Sequence, residues 1–170
     1  IKSSAASDVY KRQDKKVKLP STKYHKAVNL LCIAAMAAVF LYLILNWKQI
    51  PDQIPGHYNG AGEIDRWGNK SELWFSPVLS VFLYLGISLC ERTPGIWNTG
   101  VEITRENRER IFRILKNMIV TMKLIMVLTF VFLSIYSALA KPLPSWFLPV
   151  DMVLVFGPMA FFLIQIYRKR

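Results

Sequence analysis

The sequence predicts an all-α membrane protein: four transmembrane helices with a short extracytoplasmic hairpin loop between the first two. Three observations lead there. At 170 residues the chain suits one domain, and 53% hydrophobic content with a mean hydropathy of +0.28 is too apolar for an ordinary soluble one. Four apolar runs reach the roughly 20 residues that about 30 Å of hydrocarbon demands. Basic residues are concentrated in alternate connections, as the orientation rule for membrane helices requires.

Residues Ile1 to Gln13 show no periodic pattern and lack an initiator Met, the first Met being Met36 inside an apolar run. This segment resembles a translated sequencing-adapter tail and is expected to be non-native. Residues 14–26 then form a basic cytoplasmic segment and 27–170 the four-helix membrane domain.

The first span is read as Ala27 to Trp47. Lys15, Lys16, Lys18, Lys23 and Lys26 precede it like the n-region of a signal peptide, but the apolar stretch is too long for an h-region. Leu45-Asn46-Trp47-Lys48 also offers no small-residue cleavage site. The other spans are Leu73 to Cys90, Met118 to Ala140 and Phe147 to Tyr167. Cys32 and Cys90 lie in or at the edge of spans, so no disulfide framework or metal ligand set is available, and both read as inert packing residues.

With the N-terminus inside, fourteen basic residues flank the spans on the cytoplasmic side. Outside are four: Lys48, Arg66, Lys70 and Lys141. Both termini are therefore expected in the cytoplasm, with the first loop outside. The net charge of +11 then belongs to the inner face, where anionic lipid attracts basic residues at about 1 kcal/mol each. Nucleic acid is not an expected partner, because the basic segments are short and lack interleaved aromatics.

The connection from Glu91 to Asn117 starts turn-rich and then becomes helical. Thr104 is placed at the N-cap and Glu106 in the first turn, with Glu106–Arg110 and Glu109–Arg113 as i,i+4 pairs. Ile111, Ile114, Leu115 and Met118 form one apolar side. The expectation is an amphipathic segment on the inner membrane surface that turns into the third span; a solvated charged helix is the alternative.

Two charges interrupt spans, Lys123 and Asp151, and such residues are functional suspects. Lys123 lies a little over one turn beyond Lys116, so its stem is expected to snorkel to the cytoplasmic headgroups. Asp151 follows Pro149 and suits a helix first turn near the outer interface. A role beneath the outer loop, facing Lys70 or His57, is its alternative. Gly157-Pro158 predicts a kink in the same span.

The loop from Ile50 to Lys70 is the most informative segment. Pro51 and Pro55 bias Ile50 and Ile54 toward extended geometry, and Asn59-Gly60 and Gly62 supply positive-φ positions for a reversal. A small hairpin follows, with arms near Ile54–Tyr58 and Glu63–Trp67. Tyr58, Trp67 and Trp74 are expected at headgroup level. His57, Asn59, Asp65 and Lys70 are expected to stabilise one another and the turn.

The pattern Ile54-Pro55-x-His57-x-Asn59-x-x-Gly62-Glu63-x-Asp65-x-Trp67-Gly68-x-Lys70, directly after a first span, resembles the signature of a bacterial membrane family. That family carries the sixteen-forty-eight domain of unknown function and is related to the SdpI-like immunity proteins. About ten positions agree over roughly residues 27 to 90. The resemblance implies a multi-pass protein of the bacterial plasma membrane, with a binding role for Pro55, His57, Asn59, Gly62, Asp65, Trp67, Gly68 and Lys70. It departs from the immunity proteins after the loop-bearing half, where Arg92-Thr93-Pro94 stands in a different context from their own Arg-Thr-Pro motif.

The expected function is recognition or sensing through an ordered outer loop, with immunity as one form of it. The alternative is a small transporter or transport accessory, with Asp151 and Lys123 lining a polar path. A lone His57 among solvated acids falls short of the three or four ligands a zinc site needs, and no catalytic signature occurs. Neither enzyme activity nor a cofactor is expected. Expected partners are the lipid bilayer, an extracytoplasmic peptide or envelope component, and a cytoplasmic regulator.

Overall fold

A computed structural model describes residues 19–170. The expected non-native tail and Lys15, Lys16 and Lys18 lie outside the described residues. Four helices are long and apolar enough to cross a membrane: α1 (Lys23–Asn46), α2 (Phe75–Glu91, preceded by a 3₁₀ turn Lys70–Trp74), α3 (Arg108–Ala138) and α4 (Phe147–Lys169). Between α1 and α2 stands an antiparallel hairpin of β1 (Gln53–Tyr58) and β2 (Ile64–Asn69). Four long apolar helices with a short hairpin between the first two are present as expected, and the helices are consistent with a multi-pass membrane protein.

A capping box starts α1. The Thr22 hydroxyl accepts from the His25 backbone N–H at 3.3 Å, while the Thr22 N–H donates to His25 Nδ1 at 3.2 Å. Histidine fills the place that Glu or Gln usually takes. The second ring nitrogen must then carry the proton, and Nε2 donates to Asn117 Oδ1 on α3 at 2.8 Å. The cap thus ties the start of α1 to α3.

The centre of the bundle is α3, which packs against α1, α2 and α4. It is one continuous helix of 31 residues, so the expected surface segment that turns into a separate span does not occur. No Gly or Pro interrupts 108–138, and Ile111 and Leu115 are buried against Ile166 of α4, which holds the early turns in line with the rest. At 1.5 Å per residue the helix spans about 46 Å, so it extends past about 30 Å of hydrocarbon. Its N-cap is Asn107, three residues after the expected Thr104. Thr104 instead exchanges hydrogen bonds with Asn107, 2.8 and 3.2 Å long. The Glu109–Arg113 pair forms at 2.8 Å.

Apolar packing is split along α3. One cluster joins Val28, Cys32 and Met36 of α1 to Val120 and Val127. Another, under the hairpin, joins Val39, Leu43, Ile50, Ile54, Leu73 and Ala138, with Trp74 stacked between Phe40 and Trp47. Cys32 is buried as expected; Cys90 is exposed at the end of α2. The fourth helix continues through Pro158 and packs mainly on α3, leaving most of its apolar side chains on the outer surface of the bundle.

Candidate functional site

The hairpin is a roof. Its turn is organised by one side chain: Asn59 Oδ1 accepts from the N–H groups of Ala61 and Glu63 at 2.9 and 3.0 Å, and its Nδ2 donates to Glu63 Oε2 at 2.9 Å. The expected Asn59-Gly60 reversal with positive φ does not form. The side chain of Asn59 reinforces two backbone turn bonds, Gly62 N–H to the Asn59 carbonyl and Asn59 N–H to the Glu63 carbonyl, both 2.9 Å, and Gly62 alone takes positive φ in the hairpin, at 83°. The Gly62 carbonyl accepts from Leu143 N–H at 2.8 Å, joining the turn to the α3–α4 connection.

Further bonds fix the roof to the helices. Ser137 donates to the Pro55 carbonyl at 3.2 Å, and Tyr58 donates to the Lys141 carbonyl at 3.1 Å. Lys70 anchors the other end, donating to the Ile50 carbonyl at 2.6 Å with its ammonium 4.9 Å from the Trp47 ring centre. A Cβ at Gly68 would stand 2.6 Å from the Glu72 carboxyl group, so glycine admits the close approach of that side chain. Glu72 in turn holds Arg66 at 3.0 Å.

Beneath the roof lies a cleft of about 690 Å³. Pro55, His57, Tyr58 and Asn59 line it from above. Thr129, Leu133 and Ser137, spaced one turn apart on α3, form its floor, and Phe75 with Ser76 of α2 and Phe147, Leu148 and Asp151 of α4 form its walls. Helices α2 and α4 flank α3 without a packed interface between them, so the cleft lies in the gap. Asp151 accepts from Thr129 Oγ1 at 2.6 Å. Its partner is therefore a helix neighbour rather than Lys70 or His57, though it shares the cleft with His57.

Of the residues singled out in the loop, Pro55, His57 and Asn59 border the cleft, while Gly62, Gly68 and Lys70 hold its roof in place. Trp67 points away and is exposed. His57 Nδ1 meets Asp65 Oδ1 at 2.7 Å, but the two side chains are 65% and 42% exposed. Exposed pairs contribute about 0.2 to 1 kcal/mol. His57→Ala and Asp65→Ala are thus expected to lower stability by no more than about 1 kcal/mol each, in thermal unfolding of the detergent-solubilised protein. A loss above about 2 kcal/mol would place the pair in a desolvated setting.

Burial raises the Tyr58 phenol above its ordinary range, an effect partly offset by the Ser137 hydroxyl. The folded state therefore holds this proton more tightly than the unfolded chain does. The contribution is complete below about pH 10 and is lost as pH rises through the folded value. Wild-type unfolding temperature should drop more steeply above pH 10 than that of Tyr58→Phe, and parallel curves would mean that the Tyr58 phenol is not desolvated beneath the roof.

Lys123 does not line the cleft. Nor does it snorkel: it is fully buried, donating to Glu91 Oε2 at 2.7 Å, Asn29 Oδ1 at 2.7 Å and Ser88 Oγ at 3.1 Å. Its ammonium stands 5.0 Å from the Tyr84 ring centre. Three partners on α1 and α2 satisfy it locally, which removes the reason to reach for the headgroups. Lys116, counted among the cytoplasmic charges by sequence, is also buried and lies 3.8 Å from Glu91. The spacing of seven between Lys116 and Lys123 was the available signal, since it puts both on one helix face. Glu91 was read as the first residue of a connection; it is the last of α2, facing inward.

Residues 33–81, which comprise most of α1, the hairpin and the start of α2, match a family described as a domain of unknown function, DUF1648. An "Uncharacterized protein" of Archaeoglobus fulgidus is 31% identical over 87 residues, 46% of this chain and 48% of that protein. The chain thus spans about half the length of the curated relative it matches. No solved structure matches it.

Proposed function

We propose that this is a recognition protein of the plasma membrane, with both termini cytoplasmic, which binds an amphipathic extracytoplasmic ligand in the cleft under its hairpin. The cleft itself supports this reading. It has the size of a small-ligand site, with apolar walls and a few convergent polar groups, and a roof hydrogen-bonded to α3 and to the α3–α4 connection. A peptide or an envelope component of mixed polarity would suit such walls. Immunity to an antimicrobial peptide would be one use of such binding.

The transport reading needs Asp151 and Lys123 on one continuous polar path. Lys123 is instead enclosed by α1 and α2, whereas Asp151 meets Thr129 on another side of α3. That separation favours recognition.

A photo-reactive side chain placed at Leu148 in the cleft, and separately at Phe156 on the outer side of α4, tests the proposal in living cells. Leu148 should capture a discrete non-lipid species, and Ser76→Trp, which fills the cleft, should abolish that capture. Lipid adducts alone at both positions would contradict it.

A further inference from the structure

The charged groups of the cleft are unequal. Arg66 is engaged by Glu72 at 3.0 Å and also donates to the Gly56 carbonyl at 2.8 Å, so the cleft's arginine is already neutralised. His57 is held by Asp65 on the hairpin surface. Asp151 has a single hydrogen-bond donor, Thr129, and no lysine or arginine is paired with it among the described residues. It is a partly buried carboxylate walled by Phe147, Leu148 and Leu133. A carboxylate has room for about four acceptor contacts, so most of those on Asp151 are open to a donor that enters the cleft.

Depth narrows the choice of ligand. Asp151 lies four residues into α4, about 6 Å below its first residue at 1.5 Å per residue. A cation reaching it must descend on an apolar stem past Phe147 and Leu148. An aminophospholipid fits this less well, because its amine stands only two carbons from an anionic phosphate, which would come to lie against the same apolar walls and beside the Asp151 carboxylate. A lysine side chain entering from outside meets the requirement directly, with its methylenes on the apolar walls and its ammonium on Asp151.

We propose that Asp151, positioned by Thr129, is the binding residue for a primary ammonium on an aliphatic stem, the lysine side chain of an extracytoplasmic peptide. This rests on the cleft being the ligand site.

The test is fluorescence anisotropy on the detergent-solubilised full chain. The ligands are a dye-labelled Leu-Lys-Leu amide and the same peptide with norleucine for lysine. The lysine peptide should saturate the wild type and bind Asp151→Asn at least tenfold more weakly, while the norleucine peptide binds both equally weakly. Asp151→Asn keeps an oxygen for Thr129, and acetylating the peptide's lysine gives the same readout without altering the protein. Equal affinity for the acetylated and free peptides, or no saturable binding of the free one, would overturn the proposal.

Binding unchanged in Asp151→Asn but abolished by Ser76→Trp would overturn the ammonium site and leave the cleft reading standing. Binding unchanged by both variants would overturn both. Displacement of the lysine peptide by phosphatidylethanolamine nanodiscs, and not by phosphatidylglycerol ones, would reassign Asp151 to a lipid headgroup and overturn the peptide.

Discussion

Replacing Glu91 by glutamine should destabilise the protein by roughly 3 to 5 kcal/mol, the typical cost of removing one partner from a buried ion pair. Glu91 stands 2.7 Å from Lys123 and 3.8 Å from Lys116, and the three side chains are only 8%, 0% and 7% exposed. Without the carboxylate, two lysines face each other's charge in a dry setting. The loss should appear as a lower unfolding temperature in detergent. Because the penalty comes from the uncompensated cation, Glu91→Gln combined with Lys123→Met should recover much of it. Lys123→Met alone should be milder, since Glu91 keeps Lys116. A loss under about 1 kcal/mol for Glu91→Gln would mean that water reaches the cluster.

The second large effect is expected at Gly62. Its φ of 83° costs a residue with a Cβ roughly 1 to 2 kcal/mol. The added Cβ would also stand 3.1 Å from Leu143 Cβ and 3.3 Å from its carbonyl oxygen. Crowding of this kind adds about 1 to 3 kcal/mol, so Gly62→Ala should lose roughly 2 to 5 kcal/mol in all. It should also release the turn from the α3–α4 connection, and the hairpin should become sensitive to protease before the bundle unfolds. Gly60→Ala is the control: its Cβ meets nothing within 4 Å, and its stability should stay within about 0.5 kcal/mol of wild type. Equal behaviour of the two variants would detach Gly62 from the roof.

The residues that announced the fold were those whose effect is local. Apolar runs gave the four spans, and Pro55, Asn59 and Gly62 gave the hairpin, because propensity and turn chemistry act within a few residues. The continuity of α3 was missed because charges between Arg108 and Lys116 looked like a surface segment, whereas packing against α4 decides its course. The Glu91–Lys123 pair joins residues 32 positions apart and needs the antiparallel approach of α2 and α3 to exist. The cleft was legible only in part. His57, Asn59 and Asp151 were singled out, but Thr129, Ser76 and Leu148 enter it through helix placement that no short pattern encodes.

An outward-opening ligand cleft is the central claim, and single-cysteine labelling in intact cells tests it most directly. In a background lacking Cys32 and Cys90, Ser76→Cys in the cleft wall should react with a membrane-impermeant maleimide from outside. Glu106→Cys, an exposed position before α3, should react only after permeabilisation. Labelling of Glu106→Cys in intact cells, with Ser76→Cys reacting only after permeabilisation, would turn the cleft toward the cytoplasm and contradict the claim.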